Sequence, residues 1–302
     1  MSDPSLNLGC LCELFGRSRQ AFYQRERYNY KEQIKEELLL QMIHCERRLM
    51  PRLGGRKLLV RLKPRVPTEL MPGRDKFFDI LRRNDLLAGK KRKRVRTTYS
   101  DHWMRKYPNL IIGLVPVKIN QLWVSDITYI PTAGGTLFLS LVSDAYSREI
   151  IGWEAGETLE AKHTVAALKM ALKRLPTGSD GLIHHSDRGS QYCCSEYVKT
   201  LSARQVGISM TENGDPRENA IAERVNGILK VEWLNEMSLM TCEDARKQLK
   251  RIITIYNYHR PHASLAMKTP REAAKHEGGF IKYWKTYYKS RNINPIINQQ
   301  NY

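Results

Sequence analysis

The stretch Trp123-Val124-Ser125-Asp126-Ile127-Thr128-Tyr129-Ile130 decides how this chain is read. Leu122, Val124, Ile127 and Ile130 make it a strand candidate, rich in the β-branched and aromatic residues that suit a pleated, half-buried surface. Asp126 is placed at the end of this first strand, where a carboxylate faces a cleft while the sheet fixes its backbone. Working outward, Pro131 to Gly135 is turn-rich and residues 137–142 form a second apolar run. Residues 148–156, with Ile150, Ile151 and Trp153, form a third strand candidate, and the three fit a meander. A helix is expected over 158–175, with Val165, Leu168, Leu172 and Leu175 on one face. A short strand at 181–184, a helix at 191–205, a strand at 207–211 and a helix at 219–233 follow. The order βββ-α-β-α-β-α is an α/β fold, a mixed five-stranded sheet flanked by helices.

Upstream of this region the pattern is all-helical. Leu8, Leu11, Leu14 and Phe15 give one helical face, Gly16 breaks it and Ser18 caps the next helix, which suits a small helix-turn-helix. Ile34, Leu38, Met42 and Leu49 mark a longer helix over 31–50, and shorter helices follow at 56–63 and 74–87, an alternation that suits a second helix-turn-helix. Downstream, a helix is expected over 241–258 and another begins at Thr269-Pro270-Arg271-Glu272. The expected division is a helix-turn-helix at 1–30, a helical DNA-binding region at 31–89, a basic linker at 90–117, a catalytic core at 118–240, a helical extension of the core at 241–275 and a basic tail at 276–302.

Charge supports a division of labour. The 302 residues carry 50 Lys and Arg against 31 Asp and Glu, a net charge of +19 that points to a polyanion partner such as nucleic acid. Residues 1–120 hold a net +15, residues 121–240 a net −4 and residues 241–302 a net +8. The run Lys90-Lys91-Arg92-Lys93-Arg94-Val95-Arg96 puts six cations in seven residues and suits a phosphate backbone. No Cys-x-x-Cys pair, no signal peptide and no apolar run of 18 residues occurs, so a zinc ribbon and a membrane-spanning protein are disfavoured and a soluble protein with reduced cysteines is expected.

Within the acidic middle, three carboxylates stand out: Asp126, Asp187 just past the short fourth strand, and Glu223 on the last core helix. Moving a phosphoryl group needs a nucleophile, charge neutralisation and in-line geometry, which two Mg²⁺ ions held by a few carboxylates supply. Asp144 is read as a turn cap, and His184 as a packed strand residue.

At these residues the chain resembles the IS3-family insertion-sequence transposases, within the DDE transposase and integrase superfamily. The strand holding Asp126 resembles that group's first-Asp strand, and His185-Ser186-Asp187-Arg188-Gly189-Ser190-Gln191-Tyr192 its second-Asp motif. Glu218-Asn219-Ala220-Ile221-Ala222-Glu223 resembles the Glu helix. Asp187 and Glu223 are separated by 35 residues, the family spacing, and Lys230 falls seven after Glu223. Tyr256-Asn257 with Arg260-Pro261-His262 resembles the closing motif.

The resemblance implies an RNase H-like core in which Asp126, Asp187 and Glu223 are catalytic and hold two Mg²⁺ (or Mn²⁺) ions. It implies nicking of DNA at the element's ends and attack of the freed 3′-hydroxyl on another phosphodiester. The implied partners are double-stranded DNA, both terminal inverted repeats and target, a further copy of the chain on that DNA, and the upstream reading frame product; no membrane is involved. The implied setting is the bacterial cytoplasm, at the nucleoid. DNA contacts are expected from Lys90, Lys91, Arg92, Lys93, Arg94, Arg96, Arg188, Lys230, Arg260 and His262, with His185, Gln191 and Asn219 in support. Lacking a long heptad zipper, the chain resembles the downstream reading frame product alone. Two other readings stay open: a non-catalytic DNA-binding regulator of transposition, and an RNase H-like nuclease. Gly227, inside the Glu helix, costs that helix about 1 kcal/mol.

Overall fold

Strand β1, Leu122–Thr132, is the axis of the fold. The structure, a computed structural model, describes residues 7–88, 103–176, 180–212 and 218–280. β1 pairs antiparallel with β2 (Gly135–Asp144), which pairs antiparallel with β3 (Ile150–Gly156). On its other edge β1 runs parallel to β4 (Ile183–Ser186), and β4 runs parallel to β5 (Gly207–Met210). The sheet order is β3-β2-β1-β4-β5, the mixed five-stranded sheet of an RNase H-like fold. The meander stands as the hydrophobic pattern predicts, and β5 nearly so; the short strand expected at 181–184 lies two residues later, at Ile183–Ser186, because Gly181 adopts a positive φ of +78° before it.

Helices cover both faces of the sheet. Four helices precede it: α1 (Leu8–Leu14), α2 (Arg19–Leu49), α3 (Gly55–Leu62) and α4 (Arg74–Arg83). Within it lie α5 (Ala161–Leu172), α6 (Ser190–Cys193), α7 (Ser195–Ser202) and α8 (Ala220–Glu232), followed by α9 (Cys242–Tyr258) and α10 (Pro270–Ala273). On one face α5 and α7 bury Leu168 and Leu201 with Trp123 and Val142 of the sheet. Close approach of α5 to β3 requires Gly152, since a Cβ there would stand 2.1 Å from the Ala167 carbonyl oxygen. The other face packs Leu139 and Leu141 into a cluster with Leu229 of α8 and Ile253 of α9.

That second cluster continues into the upstream helices. Leu39, Ile43, Leu58, Leu62, Phe77 and Ile80 belong to it. The Trp233 indole N–H donates to the Leu49 carbonyl over 2.9 Å. Arg61 of α3 donates to Glu46 at 2.7 Å and, with another nitrogen, to the His259 carbonyl. The helical region is therefore packed on the sheet and shares its core.

Four expectations change. The helix expected to close a helix-turn-helix before residue 30 does not stop there: α2 runs 31 residues through the expected boundary. Gly16 (φ +62°) and the Ser18 cap, whose hydroxyl accepts from the Ala21 N–H, stand where expected. Beyond them no Gly or Pro occurs until Pro51, so the weak helix formers Tyr28-Asn29-Tyr30 are carried along. The helix expected over 191–205 is broken by extended backbone at Cys194 into α6 and α7. Asp126 lies in the middle of β1, not at its end, because β1 extends to Thr132 along β2. The helix expected from 158 begins at Ala161. Gly227 leaves α8 unbroken.

Candidate active site

Sheet register brings the two aspartates together. β1 and β4 pair Val124 with His185, the last rung between them on β1. Asp126 stands two residues past that rung on β1, on the same face as Val124, and Asp187 lies just past the end of β4, close enough for its charge to act on Asp126. β4 ends at Ser186 while β1 continues to Thr132, so the backbone edge of β1 beside Asp126 is not paired with β4.

Each aspartate is held by a donor. The Asp126 carboxylate accepts from the Asn226 amide at 2.8 Å and from the Ile127 backbone N–H at 2.9 Å. Asp187, half-buried, accepts from the Gly189 N–H at 3.0 Å. Burial, and then the charge of Asp187, push the Asp126 carboxyl up to about 7, with Glu223 adding to the rise. Asp187 and Glu223 thus both lie within electrostatic reach of Asp126. The Tyr192 hydroxyl, buried beside them, is raised well above its usual range, by burial first and then by Asp187.

Helix α8 supplies the third carboxylate. Asn219, at its N-cap, is buried and donates to the Ser125 carbonyl at 3.0 Å, tying the start of the helix to the residue before Asp126. Glu223 follows in the first turn and is exposed. Asn226 and Lys230 succeed it at three and seven residues, on the same helical face. Among the described residues no three His, Cys, Asp or Glu side chains converge closely enough to enclose a metal ion by themselves. Glu223 faces solvent, and like charges on Asp126 and Asp187 oppose its approach. The residues present nevertheless fit a hard divalent cation. Carboxylate oxygens are its preferred ligands, it retains several waters, and a counter-charge would relieve the buried Asp126 carboxylate.

Other expected site residues fall elsewhere. His185 is fully buried and shares a 2.9 Å hydrogen bond with the Ser209 hydroxyl of β5, so it braces the strand before Asp187. Gln191 donates to the Leu159 carbonyl at 3.1 Å, anchoring the Asp187 loop to the start of α5. Arg188, next to Asp187, and Lys230, two turns after Glu223 on α8, are half-buried. Arg260 and His262, expected to share packing with DNA contact, are 1% and 5% exposed, which leaves them packing and corrects the DNA contact. Arg260 grips both oxygens of Glu232 at 2.8 and 2.6 Å, and the His262 ring packs edge-on against Tyr256. Arg260 thus ties the end of α9 to α8, and His262 packs on α9; neither side chain is exposed. Asp144 is the turn cap expected, accepting from the Ser147 N–H at 2.7 Å. Lys90, Lys91, Arg92, Lys93, Arg94 and Arg96 lie outside the described residues.

The residue that sequence reading missed is Asn226. Its signal was available, since it sits between Glu223 and Lys230 at helical spacings of three and four. The Val225-Asn226-Gly227 segment reads as poor helix, which masks a side chain that reaches Asp126.

A sheet of this order, with an acid pair set by register and a third carboxylate on a crossing helix, defines a catalytic core of the integrase class. Residues 116–216 and 204–270 each match an integrase core domain. A 31 kDa protein of insertion element IS600 from Shigella sonnei is 34% identical over 266 residues, covering 86% of this chain and 96% of that protein. The transposase of insertion sequence element IS904 from Lactococcus lactis is 38% identical over 174 residues, covering 56% of this chain and 67% of its own length. The magnesium-bound catalytic core of HTLV-2 integrase aligns over 52% of this chain and 97% of its own, at 17% identity and a TM-score of 0.41. The chain belongs to the insertion-sequence transposases of the DDE/integrase superfamily. It is a DNA transposase. Among the described residues no helix is long and apolar enough to cross a membrane.

Proposed function

We propose that Asp126, Asp187 and Glu223 are the catalytic carboxylates of this transposase, and that together they hold two Mg²⁺ or Mn²⁺ ions. Bound there, the ions would lower the pKa of an attacking hydroxyl and neutralise charge on the phosphate. The observation that carries this reading is the register: Val124 opposite His185 sets Asp126 beside Asp187, and Glu223 adds its charge to theirs.

The chain's own residues do the positioning. Asn226 fixes the Asp126 carboxylate, the Gly189 N–H fixes Asp187, and Asn219 fixes the helix that carries Glu223. In the first step a water oxygen attacks phosphorus at the end of the element, and the bond to the 3′-oxygen breaks, leaving a 3′-hydroxyl. In the second, that 3′-oxygen attacks another phosphodiester and displaces its 3′-oxygen. Arg188 and Lys230, at the cleft, contact the phosphate backbone, and the 90–96 run adds non-specific affinity. The DNA partners are the terminal inverted repeats and the target, joined by copies of this chain, with the upstream reading frame product as a further partner. The setting is the cytoplasm, at the nucleoid.

The test uses labelled DNA bearing the inverted repeats, with Mg²⁺ or with EDTA. Metal-dependent nicking at the repeat end, abolished in Asp187→Asn while DNA binding persists, is the expected result. If Asp187→Asn cuts as well as the parent, the triad is wrongly assigned. Binding without cutting by the parent protein would favour a regulator, and cutting indifferent to the repeats a nuclease.

A further inference from the structure

Three elements are tied to the segment that ends α9. Arg260 grips Glu232 of α8 at 2.8 and 2.6 Å. The Tyr256 hydroxyl donates to the Arg148 carbonyl at 3.1 Å, and the Asn257 amide donates to the Ile150 carbonyl at 2.9 Å. These bonds fasten the turn between β2 and β3 to α9. Arg61 donates to the His259 carbonyl, which holds α3 against the same segment. Lys57 lies one turn before Arg61 on α3. Arg224 lies about two turns before Glu232 on α8.

Cations therefore gather around the buried His262 ring. Burial holds its pKa well below the usual histidine range, and the charges of Arg260, Lys57, Arg148 and Arg224 lower it further. Two acids act on this group: Glu232 on Tyr256, and Asp144 on Arg148. Both are already engaged. Arg260 holds Glu232, while Asp144 accepts from the Ser147 N–H and hydroxyl and from the Asn120 N–H, at 2.7, 2.8 and 2.8 Å. Arg148 is the cation left over. Its side chain is half-buried, and its Nη1 is shut off from solvent with no hydrogen-bond partner among the described residues. Burial lowers its pKa more than Tyr256 and Asp144 raise it. A guanidinium keeps its charge in a protein, and a buried charged donor without a partner is costly. Arg148 also sits at a φ of +63°, a strained region for a residue with a Cβ, and such residues cluster at ligand clamps.

We infer that Arg148, Arg224 and Lys57 form a phosphate site, and that its occupant is a backbone phosphate of the DNA substrate. A guanidinium offers a phosphate two parallel N–H donors, and the Arg148 Nη1 gains the acceptor it lacks. Arg224 is exposed and directly follows Glu223, so a strand that reaches it passes the third carboxylate. Lys57 brings α3 of the upstream region to the same phosphate. Arg260 and His262 stay buried and touch no phosphate, since Glu232 already matches Arg260.

The full chain is titrated into a fluorescent duplex of arbitrary sequence over a range of salt concentrations. Its urea midpoint is read in chloride and in inorganic phosphate at equal ionic strength. Arg148→Gln should weaken duplex binding about five- to ten-fold at about 0.1 M salt, and lower the slope of log affinity against log salt by about 1. Arg224→Gln, at an exposed position, should lower the slope by about as much without disturbing a buried group. In chloride, Arg148→Gln should leave the urea midpoint unchanged or raise it, because an unmatched buried charge is gone. Inorganic phosphate should raise the parent's midpoint more than that of Arg148→Gln. Unchanged duplex affinity and slope in both variants would overturn the proposal. So would a lower midpoint of Arg148→Gln in chloride with its salt slope intact, which would make the arginine structural. Loss of the phosphate effect with duplex affinity intact would assign the site to a small free anion, and would overturn the DNA occupant. The readouts are binding and stability, not cleavage, so they stand apart from the assignment of the triad.

Discussion

At the residue scale the fold is fixed by a few buried polar side chains with defined partners. His184 is the clearest. Its Nε2 lies 2.7 Å from the Ser125 hydroxyl and 2.9 Å from the Tyr197 hydroxyl. Burial lowers it from 6.5 to about 3, so it is neutral in the folded protein. The unfolded chain takes up a proton on this ring below its ordinary value of 6.5, and the folded chain does not until near 3. The stability tied to the neutral ring is complete above pH 6.5 and is lost as pH falls toward 3. Asp126, raised to about 7, works the other way over the same range, so the His184 share is read as the difference between the parent and His184→Gln: only the parent should carry this loss of urea midpoint between about pH 7 and about pH 5, while its native-state His184 ring resonances stay those of a neutral imidazole. A ring that titrates near its ordinary value would refute this. Arg260 is the counterpart among charges. Removing it strands Glu232, and Arg260→Ala is expected to cost about 3–5 kcal/mol by denaturant unfolding. A cost under about 1 kcal/mol would mean that the pair is effectively solvated.

At the scale of elements, α8 carries the densest set of functional constraints. Its start is tied to β1 by Asn219, its first turn bears Glu223, its next turn reaches Asp126 through Asn226, and its end is locked by Glu232. Gly227 in its interior contradicts helix propensity, yet the packing at both ends holds the helix continuous. A Cβ at Gly227 would meet nothing within 4 Å. Gly227→Ala is therefore expected to raise stability by about 1 kcal/mol, read as a shift in the denaturant midpoint. No shift, or a loss, would show that the position needs glycine for another reason. The existence of α8, β1 and α9 was legible because their apolar residues keep a helical or alternating period over many residues. The ends of β1 were less so: pairing with β2 extends it to Thr132 and moves Asp126 from a strand end to its middle. The break at Cys194 and the continuity of α2 through Tyr28-Asn29-Tyr30 were hidden, because local propensity is weak where tertiary contacts choose.

Across the whole molecule, the basic and acidic regions are not separate bodies. The upstream helices share a hydrophobic cluster with the sheet, and the Arg61 and Trp233 bonds cross between them. A grip on DNA by the upstream region is thus mechanically linked to the cleft at Asp126. Neutralising Lys90, Lys91, Arg92 and Lys93 together is expected to weaken DNA binding and to flatten the slope of log affinity against log salt by up to about 4, roughly one for each phosphate that is no longer neutralised. An unchanged slope would make the run a connector only.

The sequence by itself determined the class of fold, the three carboxylates with their spacing, and the sign of charge in each region. Those features are written in periodicity, residue type and count, which survive without knowledge of neighbours. Only the tertiary structure decided which side chains face each other. It set Asp126 beside Asp187 through one rung of parallel register, and brought Asn226 onto Asp126. It buried Arg260 and His262, which the family resemblance had pointed toward DNA. The physical reason is that a polar side chain's role depends on the partner that desolvation forces it to find, and that partner here lies 28 residues away for Arg260 and 100 for Asn226.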